Sequence, residues 1–242
     1  MAVRKLVSRD LRSLVLGADP LEYVLVRRRG RRGVGLKVDE NGLTVSAPST
    51  MPLSHVEAVV LQSERWVLRK IAEWSERRVP PISWRDGAAL PYLGSELVLR
   101  LACGARMRAE RVSGELHVTV REAHDPEVRR AVVAWYKRIA REHLHGRLTA
   151  LAAHAGFAAP RFFLSSALSR WGSCNSRREI RLAWRLLKAP PELVDYVICH
   201  ELAHLRHMNH SSAFWAEVER QCPDYRRLRA VLVATDHLYR AF

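Results

Sequence analysis

The sequence predicts an α+β fold in which a β-rich N-terminal half precedes a mainly helical C-terminal half. Residues 21–124 contain short segments of alternating apolar and polar residues with turn-forming pairs between them, the pattern of half-buried strands. From residue 125 onward, apolar residues recur at helical spacing. We therefore predict an N-terminal extension over residues 1–20, a β-rich region with one helix over 21–124, and a second domain over 125–242.

The β-rich region is predicted mainly from one hairpin. Asn41-Gly42 is a strong hairpin-turn signal, and alternating segments lie on both sides of it. These strands would bury one face lined by Leu36, Val38, Leu43 and Val45.

One amphipathic helix is expected after this hairpin. The segment SHVEAVVLQSERWVLRKIAEW, from Ser54, places Val59, Trp66 and Ile71 at helical spacing, and a proline-rich connector, VPPISW, follows it. Two further strands with a turn at Ser113-Gly114 complete the region.

The C-terminal domain is predicted to begin with a long helix. Asp125 and Pro126 suit a helix start, and Gly156 suits its end. Strands follow around FFLSSAL and IRLAWRL. Pro190 and Pro191 then open the helix that carries the most informative motif.

That motif is VICHELAHLRHMNH, in which His200, Glu201 and His204 form H-E-x-x-H. On a helix, residues four apart lie on one face, so two imidazoles can bind one metal ion. The ion lowers the pKa of a water molecule, and the glutamate between the histidines can take its proton. The apolar back of this helix, Val194, Val197, Ile198 and Leu202, indicates that it is buried on one side.

A catalytic zinc site needs a third protein ligand. His210 is the leading candidate, at a distance where the helix must end and the chain turn back, and Glu217 and Glu219 are the alternatives. The spacing to His210 is also that of metzincins, but His207 stands where their glycine would be, and Met208 is the last methionine, which precludes a downstream Met-turn.

Charge and cysteine content bear on partners and location. The net charge of +15 is consistent with an acidic partner such as nucleic acid, contacted through Arg27, Arg28, Arg29, Arg31 and Arg32. The alternative is an arginine-rich composition in which the basic run keeps an exposed sheet edge in solution, since only five of the 40 basic residues are lysine.

There is no apolar run of membrane-spanning length and no signal-peptide pattern, so we expect a cytoplasmic protein without a membrane partner. The four dispersed cysteines are expected to be reduced, with Cys174 and Cys199 as core thiols.

Several stretches together resemble the YgjP-like metallopeptidase family, which is related to the SprT-like and WLM zinc peptidases. They are RWGSC (Arg170–Cys174), the strand ending in Trp184-Arg185-Leu186, HELAHL, and NHSSAFW (Asn209–Trp215). The resemblance implies a zincin-like metallopeptidase domain preceded by a β-rich N-terminal region. It also implies that His200, His204 and His210 bind Zn²⁺ and that Glu201 is the catalytic base.

The resemblance further implies that the RWGSC strand runs beside the active-site cleft. Arg170 and Trp171 are therefore candidate substrate-facing residues. The alternative is a structural corner, with Trp171 packed on the helix and Arg170 paired with an acid such as Asp195. His207 and Asn209 are, with Arg170, the candidates for a second donor to the oxyanion.

The leading hypothesis is a zinc-dependent metallopeptidase in which a zinc-activated water attacks the carbonyl of a peptide or protein substrate, with Glu201 as general base. A metal-dependent nucleotide (UTP) pyrophosphatase is the second hypothesis, suggested by the labels that members of the family carry. Imidazole ligands and the lack of a P-loop favour the first. The third hypothesis is a basic, nucleic-acid-associated module that acts on DNA-bound proteins.

Overall fold

The computed structural model describes residues 5–17, 19–39, 41–76, 82–240 and 242. The chain divides into two compact units, Met1–Arg78 and Val79–Phe242. This boundary differs from the predicted one between residues 124 and 125, because strands before residue 125 share a core with the helix after it. Val79 to Pro81 of the predicted proline-rich connector lie outside the described residues.

Within the described residues, the first unit contains four strands and two helices. They are β1 (Leu6–Leu16), β2 (Asp19–Arg28), β3 (Gly35–Asp39), β4 (Gly42–Pro48), α1 (Leu53–Gln62) and α2 (Glu64–Glu76). The strands form one sheet in the order β1-β2-β4-β3, in which β2 and β4 are parallel and the other pairs antiparallel.

Strand β1 occupies most of the segment predicted as an extension. Its pairing with β2 supplies backbone hydrogen bonds whatever its side chains are. Leu11 and Val15 point into solvent, with 67% and 60% of their surface exposed, so the strand lacks the alternation by which it could have been predicted.

The predicted hairpin is present as β3 and β4. Leu36 lies opposite Val45, Val38 lies opposite Leu43, and Gly42 has the positive φ of +95° that the turn requires. Leu43 and Val45 are fully buried, whereas Leu36 and Val38 pack at the edge of the core.

The helical segment after the hairpin is interrupted at Ser63, so the prediction of one continuous helix is wrong. The residues that α1 and α2 bury are Val56, Val60 and Val67 rather than Val59. The interruption shifts the buried face between the two helices. Helix α1 buries Val56 and Val60, which are four residues apart, whereas Trp66 and Ile71 of α2 are only partly buried.

The second unit contains two small sheets and four α-helices among the described residues. The elements are β5 (Ala89–Tyr92), β6 (Ser95–Cys103), β7 (Arg108–Val112), β8 (Glu115–Val120), α3 (Asp125–His154), β9 (Arg161–Ser165), β10 (Gly172–Cys174), β11 (Glu179–Ala183), a 3-10 helix (Trp184–Lys188), α4 (Pro191–Ala203), α5 (Ser212–Gln221) and α6 (Tyr225–Arg240). The sheet orders are β5-β6-β8-β7 and β10-β11-β9, which places β10 at an edge.

One hydrophobic core joins the elements of the second unit. Trp135 and Tyr136 of α3 pack in the same buried cluster as Leu99 and Val118 of the first of these sheets. The turn between β5 and β6 also meets the start of α4: a Cβ on Gly94 would lie 3.0 Å from the Cα of Pro190. These contacts explain why residues 82–124 belong with the C-terminal elements.

Helix α4 has the predicted form. Pro190 and Pro191 stand at its start, Glu192 lies in its first turn, and its apolar back is buried as expected. This burial fixes the helix in the core and leaves its other side for polar side chains. None of the described helices is long and apolar enough to cross a membrane.

Candidate metal centre

Helix α4 brings two histidines of the motif to one side near its C-terminal end. His200 lies in its last turn and His204 is the residue that caps it. The chain then leaves the helix through a tight turn, in which the amides of Arg206 and His207 both donate to the carbonyl oxygen of Ala203. This turn directs the following loop back toward the two imidazoles.

His210, on that loop, completes a cluster of three. The nearest ligand nitrogens of His200, His204 and His210 all lie within 4.8 Å of one another. The Nε2 atoms of His200 and His210 are 3.2 Å apart. His210 therefore lies beside His200 and His204, as predicted for the third ligand.

The geometry of these nitrogens fits a tetrahedral metal ion. Two ligands about 2.05 Å from such an ion lie about 3.3 Å apart, close to the observed separation. Nδ1 of His204 lies 3.0 Å from the carbonyl oxygen of His207. Because a carbonyl can only accept, Nδ1 donates this bond and Nε2 stays free to bind a metal.

The electrostatics agree with a metal-binding role. Burial, together with the neighbouring His204 and His210, lowers the pKa of His200 to about 4, and burial also lowers the pKa of His204. Neutral imidazole is the form that binds metal ions. His200 and His204 are therefore neutral and available as ligands at neutral pH.

The ring of Phe214 packs against all three imidazoles of the cluster. Its ring centroid lies 4.9 Å from that of His200, 4.5 Å from that of His204 and 4.7 Å from that of His210. It is fully buried on α5, whose N-cap Ser211 accepts a hydrogen bond from the Phe214 amide. In the sequence Phe214 stood out only as part of the NHSSAFW stretch, but it contacts all three predicted ligands.

Glu201 points from α4 toward strand β10. It is only 5% exposed, and a Cβ on Gly172 would lie 2.5 Å from its Oε1 and 2.6 Å from its Cγ. Glycine is therefore the residue that leaves room for this carboxylate. Gly172 stands in the RWGSC motif, but sequence reasoning gave it no role.

We expect Gly172→Ala to displace Glu201 and lower hydrolytic activity by about one to two orders of magnitude, an effect comparable to loss of a positioned proton-transfer group. Metal content should stay at the wild-type level, because the three atoms nearest to the added methyl group all belong to Glu201 and none to a histidine. Steady-state kinetics beside metal analysis of the same preparations measures both.

Gly104→Ala is the matched control for this prediction. Its added Cβ would also meet a close neighbour, Thr119 Cγ2 at 2.7 Å, but in β8, away from the histidines. It should alter stability without the activity loss. Equal activity losses in both variants would show that Gly172 has only a packing role.

The two glutamates considered as alternative ligands are engaged elsewhere. Glu217 accepts hydrogen bonds from Arg220 at 2.7 Å, Gln221 at 2.8 Å and Arg206 at 2.9 Å. Glu219 lies 3.5 Å from a guanidinium nitrogen of Arg226. Neither belongs to the cluster of potential metal ligands among the described residues.

The contacts of Glu217 predict a pH-dependent contribution to stability. Hydrogen bonds, first from Arg220 and then from Gln221 and Arg206, lower its pKa from 4.5 to about 2. Because the folded-state pKa is the lower one, this stabilisation is complete above pH 4.5 and is lost as the pH falls toward 2.

We therefore expect Glu217→Gln to lower the free energy of unfolding at pH 7 by about 2 kcal/mol and to flatten its decline below pH 4.5. Metal content should be unchanged. Urea unfolding between pH 2 and 7 measures the first effect, and loss of metal in this variant would instead support glutamate ligation.

The candidate substrate-facing residues have different surroundings. Trp171 contacts α6, where its Nε1 donates to Asp236 Oδ1 at 2.7 Å, and a substrate-facing role for it stays a prediction. Arg170 is exposed, and its predicted partner Asp195 is bound by Arg147 at 2.5 and 2.7 Å, so that pairing is wrong. The charge of Arg170 acts on Glu201, whose pKa burial raises to about 8 and Arg170 lowers.

His207 and Asn209 lie on the loop that carries His210. His207 orients His204 through its backbone carbonyl, while its side chain is partly exposed. Asn209 is exposed. A role for either side chain as an oxyanion donor stays a prediction.

All four cysteines are free. Burial raises the pKa of Cys199 to about 12, and burial and the nearby Glu201 raise that of Cys174 to about 11. Both are therefore protonated thiols at neutral pH, which are poor metal ligands.

The basic run of the first unit is partly used inside its own fold. Arg27 donates to the backbone oxygen of Met51 at 2.6 Å, and Arg31 donates to that of Gly33 at 2.6 Å. Arg29 and Arg32 are exposed. Contact of this run with nucleic acid stays a prediction.

An α+β unit in which an H-E-x-x-H helix and a following loop gather three histidines has the form of a metal-dependent hydrolase. A family model described as "YgjP-like, metallopeptidase domain" matches residues 32–235, and the chain belongs to this family. The expected resemblance is thus confirmed. Neither the curated proteins nor the solved structures contain a match to the chain.

Proposed function

We propose that the protein is a zinc metallopeptidase that hydrolyses peptide bonds, with His200, His204 and His210 as metal ligands and Glu201 as general base. The observation that supports it most is the convergence of three imidazole nitrogens beside a buried glutamate that rests against Gly172. Membership of a metallopeptidase family agrees with it.

Zinc is the metal that this donor set favours. Three imidazole nitrogens suit Zn²⁺, whereas Mg²⁺ and Ca²⁺ prefer oxygen ligands. A zinc ion in a three-histidine site polarises carbonyl groups and acidifies water. Among the described residues, there is no second group of three or more His, Cys, Asp or Glu that could hold a metal.

Glu201 is placed to move a proton. Its Oε2 is buried and has no hydrogen-bond partner among the described residues. Burial raises the pKa of this carboxyl group to about 8, and a cation bound by the three histidines would favour the carboxylate form, which can accept a proton. In the proposed reaction it takes a proton from the water that attacks the carbonyl carbon and passes it to the leaving amine nitrogen.

Arg170 is the residue to which we assign the substrate-facing role. It is exposed, and of the three candidates it is the one whose charge acts on Glu201. A guanidinium there would donate to the substrate carbonyl oxygen as negative charge develops on it. Trp171 supports this position through its contacts with α6.

The edge position of β10 favours a peptide over a nucleotide as substrate. Among the described strands, none pairs with the outer edge of β10, and Gly172 of this strand touches Glu201. An extended peptide that added to this edge would pass beside the catalytic carboxylate. Magnesium-dependent nucleotide hydrolysis would instead use carboxylate oxygens, which are absent from the described ligand cluster.

The test is hydrolysis of an unfolded protein by the full-length chain, followed as new amino termini. Activity should appear with one equivalent of zinc, disappear with a chelator and return when zinc is restored. UTP is offered in parallel, with release of pyrophosphate as the readout. Zinc-dependent hydrolysis of UTP without any peptide cleavage would contradict the proposal.

A further inference from the structure

A basic cavity of about 480 Å³ lies beside the first half of α3, apart from the metal centre. Arg129, Arg130 and Lys137 of α3 line it on one side, and Arg185 of the 3-10 helix lines it on the other. No acidic side chain is among the described residues that line it. Four positively charged side chains therefore line one concave region of the surface.

The spacing along α3 shows that one helix face is involved. Residues 126, 129, 130, 133, 134 and 137 all line the cavity, at intervals of three and four. At a rise of about 1.5 Å per residue, Arg129 and Lys137 stand about 12 Å apart along the helix. The positive charges are thus repeated over a distance longer than one small anion.

Among the described residues, two of these cations, Arg129 and Lys137, lack the carboxylate partners that several other cations of the second unit have. Arg147, for example, binds both oxygens of Asp195. In the part of the chain that the structure describes, Arg129 and Lys137 form no ion pair, and Arg130 has only Glu127 at 3.6 Å. The face is therefore not a network of mutually neutralised charges.

Arg185 is held in place by two main-chain oxygens and an aromatic ring. Its Nε donates to the backbone oxygen of Phe242 at 2.8 Å, its Nη1 donates to that of Ser166 at 3.3 Å, and its guanidinium lies 4.5 Å from the Trp184 ring centroid. Burial and the charges of Arg129 and Arg240 lower the pKa of Arg185. A partly buried cation among other cations is stabilised by an anionic ligand.

Basic residues also line the opposite flank of the same helix segment. A second cavity of about 570 Å³ contains Arg108, Arg111 and Arg138, with Glu110 as its acidic residue, paired to Arg108 at 2.6 Å. The two cavities together form what we call the α3 basic surface. Positive charge therefore lies on both flanks of α3.

We propose that the α3 basic surface binds nucleic acid through its phosphate backbone, without reading sequence. A backbone carries charge at regular intervals, about one per 3.4 Å of axis on each strand, which suits cations repeated along a helix. The aromatic rings beneath the cavities, Trp184 and Trp135, are 1% and 3% exposed and cannot stack on bases. Arginine guanidinium groups can bind phosphate oxygens through two parallel hydrogen bonds.

The test is fluorescence anisotropy of the zinc-loaded full chain with labelled 20-nucleotide duplex and single-stranded DNA of unrelated sequences. Arg129→Ala/Lys137→Ala should weaken binding at least tenfold at 100 mM salt, and should reduce the slope of log K against log salt by about two, since each phosphate contact contributes about 0.9. Circular dichroism checks that the variant is folded.

The matched control is Arg161→Ala/Arg177→Ala, which removes the same charge from exposed positions that line neither cavity. It should bind within about twofold of wild type, as expected for distant surface charges under salt screening. A second comparison, Arg29→Ala/Arg32→Ala, tests the basic run of the first unit.

Three outcomes would overturn the proposal. The first is wild-type binding by Arg129→Ala/Lys137→Ala, and the second is an equal loss in the matched control. The third is displacement of the DNA by inorganic phosphate or polyglutamate as readily as by unlabelled DNA, which would identify a single phosphate or an acidic polypeptide as the ligand. None of these outcomes depends on whether the protein cleaves peptides.

Discussion

Replacement of His200 or His204 by alanine is expected to abolish stoichiometric zinc binding. Each supplies one of three imidazole nitrogens that lie within 4.8 Å of one another. Two remaining histidines cannot fill the coordination that a catalytic zinc requires. Metal analysis should therefore find about one zinc per wild-type chain and less than about 0.1 in either variant.

The same variants should lose the stability that zinc gives to the folded chain. Ligation connects the end of α4 to the loop before α5, so wild type should melt at a higher temperature with zinc than with chelator, and the variants should not. His55→Ala removes an exposed histidine of the first unit and serves as the control. Full zinc content in both His200→Ala and His204→Ala would end the site assignment.

Glu201→Gln is expected to lose hydrolysis by at least about two orders of magnitude while it keeps metal and fold. Glutamine has nearly the same shape as glutamate and fits the space beside Gly172, but it cannot accept a proton at neutral pH. It also removes the cost of a buried carboxylate, so the variant should be at least as stable as wild type.

The comparison of kcat between Glu201→Gln and wild type, at matched zinc content, measures this loss. Glu217→Gln is the control, because it makes the same chemical change at a carboxylate that binds arginines outside the cluster. Turnover by Glu201→Gln at the wild-type rate would mean that another group moves the proton.

The metal centre could be predicted in large part because its signals are local. His200, Glu201 and His204 lie within one helix, and their relative directions follow from helical geometry alone. His210 was harder, since its position depends on the turn at Ala203–His207. A sequence carries that turn only as a tendency of His and Asn toward unusual backbone angles.

Two residues of the site could not be assigned because their contacts join distant parts of the chain. Gly172 meets Glu201 only because β10 packs on α4, and Phe214 meets the three imidazoles only because α5 folds back beneath them. The one signal for Gly172 was its place in RWGSC, a glycine at the start of a strand where a close approach is plausible.

The fold was predicted at the level of class and of most elements, but not in the first unit's details. In strand β1 the apolar side chains of Leu11 and Val15 point into solvent, so the sequence lacks the apolar–polar alternation of a half-buried strand. The strand forms because it pairs with β2. The interruption at Ser63 likewise gives no breaker signal, because serine is tolerated within helices. Tertiary pairing and packing decided both.

The most direct test of the central claim is a crystal structure of the zinc-loaded chain with anomalous data at the zinc absorption edge. We predict one zinc peak with Nε2 atoms of His200, His204 and His210 about 2.1 Å away in a tetrahedral arrangement, and Glu201 beside it against Gly172. A peak elsewhere, or a glutamate in the third position with His210 turned away, would contradict it.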